Sequence, residues 1–324
     1  VSPLKADHSA LPKAERSNGD GALLPDPEPR FVHLLAQLWQ LDNEAQGDRP
    51  NAVKGSRFRF SDAGKCARAI AFKAAGFERT NPMDLSGVWN TRLGTMIHDA
   101  WQEAMVLCFP DAKVEVRVTI DDLDGSGHGD CTVEIVVDDA GRVVVIELKS
   151  IGGYGFKSSI GKASKGRPAE GPNTPHIIQG ALAAKAQDAD ELVIGYLSKE
   201  SLSVAAARGM PEEARFSAEW TFTRDEYEPY ADAETKRVAG ILDLLDKGEL
   251  AARKVPHEMP PGAVIVDPAS SRWEQYDDGK IVDTGTLWNG QFCAYCGWFD
   301  LCKGTDPGRI PVEQVVAITT KAVA

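Results

Sequence analysis

A carboxylate and an ammonium two positions apart close a run of branched apolar residues in "RVVVIELKS", residues 142–150. In a strand, alternate side chains share a face, so Glu147 and Lys149 project together while Leu148 turns the other way. On its own, an E-x-K of this kind reads as an ion pair at a solvated strand end. Two further groups change the weighing. "GSGHGDC" puts Asp130 at the start of another strand, and "LGTMIHDAWQEA" puts His98 on a helix. If the strands form a meander with that helix across its end, Asp130, Glu147 and His98 converge. Two carboxylates and an imidazole suit Mg2+ or Mn2+. Phosphodiester cleavage needs an activated water and an offset for charge growing on phosphate oxygens, which divalent metals supply and a nearby lysine assists. Taken singly, Asp130 is equally a turn residue and His98 a satisfied residue of a helix face. Their order near strand ends favours chemistry.

Cysteine makes a second constellation. Six cysteines, Cys66, Cys108, Cys131, Cys293, Cys296 and Cys302, are too few for a disulfide scaffold in 324 residues. "FCAYCGWFDLCK" gathers Cys293, Cys296 and Cys302. A C-x-x-C can be a redox pair, but the third cysteine suggests a metal site lacking one ligand. Cys66, in "KCAR", is the candidate fourth; Cys108 and Cys131 are rivals that read better as core residues. Four thiolates suit zinc or an iron-sulfur cluster, and spacing does not choose between them. Trp288, Phe292, Tyr295, Trp298 and Phe299 surround the run and read as core packing that excludes water; a base-stacking platform there has no support.

The elements that must position these groups are legible in outline. Residues 62–76 read as a helix, with Asp62 as a candidate cap and Gly76 as its stop. A second helix is expected over 91–108, then three strands, "KVEVRVTI", "DCTVEIVVD" and "RVVVIELKS", the last two joined by a "DDAG" turn. Residues 151–175 carry too much Gly, Pro and Ser for a regular element. They hold Lys157, Lys162, Lys165 and Arg167 against one acid, Glu170, and so make a basic loop suited to phosphates or simply to solvent. A helix from about 176 to 189 follows, then the strands "ELVIGYLSK" and "RFSAEWTFT" and a long amphipathic helix. Helix, three strands, helix, strand predicts an α/β fold with a mixed central sheet flanked by helices. Residues 1–55 read as an N-terminal arm with a short helix in "FVHLLAQLWQL", and 56–324 as one domain with its core at about 90–225.

Composition sets bounds. With 43% hydrophobic and 26% charged residues the chain has the make-up of a folded protein rather than a disordered one. No apolar run reaches the ~20 residues of a membrane span, and the first residues lack an apolar signal core, so a cytoplasmic location is expected. A formal net charge of −12 argues against coating nucleic acid over the whole surface but permits a local basic groove. There is no phosphate-loop spacing, no H-E-x-x-H and no deaminase pattern.

These motifs together resemble the PD-(D/E)XK nuclease superfamily. "GHGD" followed by "VVVIELKS" matches its acidic and lysine positions with Asp130, Glu147 and Lys149, and "GTMIH" resembles the helix of the RecB-like branch, whose metal-binding histidine matches His98. "HIIQG" matches the following helical motif through Gln179, which the resemblance implies supports the active site or touches DNA. Family members often carry Tyr four residues later; here that position is Ala183, and Tyr196 is a candidate replacement. The resemblance, over about residues 60–305, implies that His98, Asp130, Glu147 and the Leu148 carbonyl hold Mg2+ or Mn2+ while Lys149 orients water or stabilises the transition state. One cysteine before the core and three after it resemble the iron-sulfur RecB-like exonucleases, including CRISPR-associated members, which implies that Cys66, Cys293, Cys296 and Cys302 bind a [4Fe-4S] cluster. The expected function is a metal-dependent exonuclease on single-stranded or frayed DNA. A structure-specific endonuclease, or a nuclease subunit of a repair or CRISPR-adaptation complex, is the alternative within the same chemistry; a non-catalytic iron-sulfur or zinc module binding DNA or protein is the alternative outside it. With no helicase motif, unwinding would fall to a helicase or recombination partner.

Overall fold

A computed structural model of the chain describes residues 56–323 apart from 82, 121–127, 138–139, 162–168, 201, 203–211, 254–261, 268–271, 287–292, 294–295 and 307. The expected N-terminal arm, part of the "DDAG" turn, and Lys162, Lys165, Arg167, Trp288, Phe292 and Tyr295 lie outside the described residues. The elements run β1 (Ser56–Arg59), a 3-10 turn (Phe60–Asp62), α1 (Ala67–Ala74), α2 (Leu85–Cys108), β2 (Lys113–Ile120), β3 (His128–Val137) and β4 (Val143–Ile151). Next come α3 (Gly153–Ile160), α4 (Thr174–Ala186), β5 (Glu191–Ser198), β6 (Ser217–Thr223) and α5 (Arg224–Asp246). The C-terminal part holds β7 (Glu249–Leu250), β8 (Val264–Asp267), β9 (Arg272–Asp277), β10 (Lys280–Thr286), α6 (Phe299–Lys303), β11 (Ile310–Pro311) and α7 (Val312–Val323).

Local chemistry sets the helix ends. Gly76, at φ 75°, closes α1: its N–H donates to Lys73 O and that of Phe77 to Phe72 O, the paired bonds of a Schellman stop. Asp62 does not cap α1; it lies in the 3-10 turn, where its carboxylate pairs with Lys65 and Lys73. Those two ammonium groups outweigh burial and hold its pKa below the ordinary carboxylate value. Asp84 begins α2, accepting from Gly87 N at 2.7 Å, and Thr223 with Glu226 forms a capping box on α5.

The central sheet is mixed and flanked by helices, as the α/β reading expects. β2–β3–β4 is an antiparallel meander, β4 and β5 are parallel across the α3–α4 connection, and β6 returns antiparallel to β5. Val145, Leu192 and Ile194 on one sheet face, with Ala181–Ala184 of α4 and Tyr227, Val238 and Leu242 of α5, form the centre of the core.

Three further features differ from the sequence expectation. The segment after Lys149 is regular at its start: α3 forms because Phe156 is fully buried and Gly161, at φ 72°, ends the helix. One anchor and one cap outweigh the ~1 kcal/mol that an interior glycine costs a helix. An antiparallel sheet of order β10–β9–β8 was also unforeseen, although its Asp278-Gly279 turn, with φ 47° and 72°, is the residue pair that favours a type I′ hairpin. Cys108, expected in the core, is exposed, because the last turn of α2 projects into solvent together with Leu107 and Phe109.

Candidate active site at the fork of the sheet

Strand register places Glu147 at a fork. The β3–β4 pairing runs from Val137↔Val143 to Glu134↔Ile146, stopping one residue short of Glu147. Beyond that point β3 pairs with β2 on one edge through Gly129 and Asp130, while the same two residues pair with Phe58 and Arg59 of β1. The β2 edge being taken, β1 occupies the edge that β4 has left. β4 therefore diverges from β3 at its first catalytic candidate and continues alongside β5, with Glu147↔Ile194 and Lys149↔Tyr196 in register. This end of a parallel pair, where the chain crosses over, is where α/β sheets form ligand crevices.

Glu147 is only 5% exposed. Its Oε1 lies 2.5 Å from Lys149 Nζ, which in turn donates to Gln179 Oε1 of α4 at 3.0 Å. Gly180 permits this arrangement: a Cβ there would meet Leu192 Cδ1 at 2.8 Å, Ile194 Cδ1 at 2.9 Å and Glu147 Cβ at 3.2 Å. Only a residue without a side chain lets α4 lie so close to the sheet.

The other side of Lys149 carries two residues of different standing in the sequence reading. Tyr196, 1% exposed, bonds His176 Nδ1 through its hydroxyl at 2.6 Å and accepts from Asn173 N at 2.8 Å. The hydroxyl has one proton to give and two lone pairs to offer, so with Asn173 N donating to it, the sense of the bond to Nδ1 follows the imidazole tautomer. Burial, reinforced by the Lys149 charge, pushes the His176 pKa down to about 4, and burial pushes that of Tyr196 up to about 12, so both are neutral at pH 7. His176 was not singled out in the sequence. The signal that could have found it is its position one helical turn before Gln179. Ala183, four residues after Gln179, is fully buried and belongs to the core.

α2 lies against the opposite sheet face. A Cβ on Gly94 would stand 3.0 Å from Ser150 Oγ, and Ser150 alternates away from Glu147 and Lys149. Successive turns of α2 cross the sheet strand by strand. Lys199, just past β5, donates to Asn90 O at 2.8 Å; Gly94 meets β4; Gln102 donates to Glu115 Oε1 of β2 at 3.0 Å. His98, between Gly94 and Gln102 on the same stripe, thus belongs to the helix packed on the face opposite to Glu147 and Lys149, and the described contacts do not bring it beside them. The backbone of Asp130 pairs with Thr119 and Arg59 at the fork, and its side chain lies outside the described residues.

The cysteine residues meet at a different corner. Cys66 is the N-cap of α1; Cys293 O accepts from Cys296 N at 3.1 Å; Cys302 lies on α6. Burial raises the thiol pKa of Cys296 and of Cys302, and a neighbouring Cys66 raises both further. The corner is held by hydrogen bonds of long sequence reach. Arg68, fully buried, donates to Ala251 O, Thr305 Oγ1, Asp306 O and Gly308 O. Trp298 Nε1 donates to Phe77 O at 2.9 Å, and Arg253 donates to Cys302 O at 2.9 Å. Trp298 itself packs beside Phe72 in the core, as expected. Among the described residues, no three His, Cys, Asp or Glu side chains form a ready metal-binding group. None of the described helices is long and apolar enough to cross a membrane.

No family model and no curated protein matches the chain. A search of solved structures finds similarity to the crystal structure of SSO0001 at 17% identity and a TM-score of 0.41, covering 67% of this chain and 87% of that one.

Proposed function

We propose that the chain is a divalent-metal-dependent deoxyribonuclease of the PD-(D/E)XK type, acting as an exonuclease on single-stranded or frayed DNA. The observation that carries this reading is the buried Glu147, paired to Lys149 and through it to Gln179, at the point where β3 and β4 part. An ion pair serving only as a strand end has no need of burial, of a helix brought in by Gly180, or of a strand divergence at its first member. A buried carboxylate beside a strand carbonyl suits a metal ligand, and Glu147 with Asp130 and the Leu148 carbonyl would hold Mg2+ or Mn2+; His98, whose helix lies against the opposite sheet face, would join them only across the open end of the fork. When bound, the metal supplies Lewis-acid stabilisation and an acidified water. The chain's own residues do the rest. Glu147 and Gln179 orient the Lys149 ammonium, leaving donor capacity for the attacking water or a non-bridging phosphate oxygen. The neutral His176–Tyr196 pair walls the other side of Lys149 without adding charge.

At the second corner the donor set suits a [4Fe-4S] cluster in kind: the four thiols are all partly buried, Cys66 neighbours both Cys296 and Cys302, and Cys302 lies beside cationic Arg68 and Arg253. Cys66, Cys293, Cys296 and Cys302 would ligate it in a structural role, linking the two ends of the domain. Double-stranded substrates would require a helicase or recombination partner, and membership of a CRISPR-adaptation complex belongs to the same reading.

The decisive experiment incubates anaerobically purified protein with 5′- and 3′-labelled single-stranded DNA and with a closed circle, in Mg2+, Mn2+ or EDTA. Metal-dependent shortening of the linear strands is expected, with the circle resistant. Glu147→Gln should reduce the rate by at least about a hundredfold while leaving the melting temperature within a few degrees, since it removes a ligand and keeps the side-chain volume. A folded Glu147→Gln protein that cleaves at the wild-type rate would sink the assignment.

A further inference from the structure

Tyr154 is 89% exposed, the most exposed of the large hydrophobic side chains among the described residues. It stands in the first turn of α3, five residues after Lys149. A tyrosine there does nothing for the core. The anchor of α3 is Phe156, fully buried, and Gly153 is buried against Glu200, where a Cβ would meet Oε2 at 2.8 Å. The helix that displays Tyr154 is nevertheless fixed at both ends. Phe156 N donates to Gly152 O at 3.0 Å; Lys199 N ties Ile151 O to the end of β5 at 2.8 Å; Glu170 N and Gly171 N donate to the carbonyls of Ser158 and Ser159 at 3.3 and 3.0 Å. Gly155 follows the tyrosine, a Cβ there would meet nothing within 4 Å, and the exposed ring stands clear in solvent. Lys157 lies one turn on, on the same side of the helix. An open aromatic face beside a cation, held on a rigid element, is the arrangement by which single strands are bound without sequence preference: a base stacks on the ring and the ammonium meets the phosphate.

We infer that Tyr154, with Lys157, is a base-stacking platform that seats one nucleotide of a single-stranded substrate next to the cleavage site. The inference rests on the nuclease reading and specifies how that site tells single from double strands, because a base paired inside a duplex has no free face to offer. Five residues of chain span at most about 18 Å. At a rise of about 3.4 Å per stacked nucleotide, the platform takes a base within roughly five nucleotides of the scissile phosphate. Charge selects the occupant: residues 151–175 carry four basic residues against one acid in a chain of net charge −12, which favours a polyanion over an acidic protein surface.

The test measures binding in the Glu147→Gln background with EDTA present, by fluorescence anisotropy of labelled oligothymidine and of an abasic oligomer of equal length. Tyr154→Ala should weaken oligothymidine binding by about tenfold, the scale of one lost base stack, and leave abasic binding unchanged. Tyr154→Phe and Tyr154→Trp should bind as the parent does, and Tyr154→Leu should bind like the alanine variant. The Trp variant should also lose fluorescence on binding the oligothymidine. Equal weakening toward both oligomers, no weakening toward either, or full binding by the leucine variant would overturn the platform; the last would mark a site for an apolar protein partner. Should Glu147→Gln protein bind no oligomer at all, the nuclease reading fails with it, and a parent that binds while Tyr154 makes no difference isolates the failure to this inference.

Discussion

The two candidate sites are assembled in opposite ways. At the fork, Glu147, Lys149, Gln179 and Gly180 come from one strand and the helix of one crossover, and a short chain of hydrogen bonds already fixes their side chains. At the cysteine corner, the thiols come from opposite ends of the described chain, and what fixes them is their neighbours: Arg68, Trp298 and Arg253 bond backbone carbonyls, and Arg68 also bonds Thr305 Oγ1. The fork is preorganised at the level of the groups proposed to react. The corner is preorganised one layer out, with protein–protein hydrogen bonds joining the domain's ends before any cofactor adds its binding energy.

That contrast is most severely tested at Arg68. Arg68→Met should destabilise the domain by about 3 kcal/mol or more, because it leaves several buried acceptors without a donor. The loss should appear in urea unfolding of metal-free protein, with hydrogen exchange accelerated in residues 297–306 and little changed in β4 and α4. Uniform exchange across both regions would erase the distinction drawn between them.

A smaller effect, of opposite location, is expected from His176. Its pKa is about 4 in the folded protein against 6.5 for the free side chain. Between those values the unfolded chain binds a proton that the folded one refuses. The stability associated with neutral His176 is therefore complete above about pH 6.5 and is lost as pH falls toward 4, to a limit of about 3 kcal/mol. His176→Gln should flatten this part of the stability-versus-pH curve, followed by denaturant midpoints from pH 4 to 8. A variant curve parallel to the wild type would remove His176 from the account.

The smallest effect is a contrast within one residue type. Cys293→Ser should strip iron and sulfide from protein purified without oxygen, whereas exposed Cys108→Ser should leave both at the wild-type level, measured by colorimetric assay and absorbance near ~400 nm. One equivalent of zinc without sulfide would replace the cluster with a structural zinc site; loss of iron with Cys108 but not with Cys66 would reassign the ligands.

Much of this was legible in the chain. Alternation in "RVVVIELKS" requires that Glu147 and Lys149 share a face once the strand forms, and the apolar periodicity of 113–120, 191–198 and 224–246 leaves little freedom about which segments become strand or helix. Those are local consequences of backbone geometry. The short α3 was not legible because its glycines and serines oppose a helix and only the burial of Phe156 reverses that preference. His176 and Arg68 were not legible for a related reason: nothing about a histidine or an arginine in sequence says which distant carbonyl or hydroxyl it will meet. The fork, likewise, depends on β1 taking the edge of β3 that β4 leaves, a choice made between segments about seventy residues apart. Sequence determined the chemistry that each strand and helix can present. Tertiary structure decided which of those groups are buried together, because burial and long-range pairing are properties of the folded chain and not of any one stretch of it.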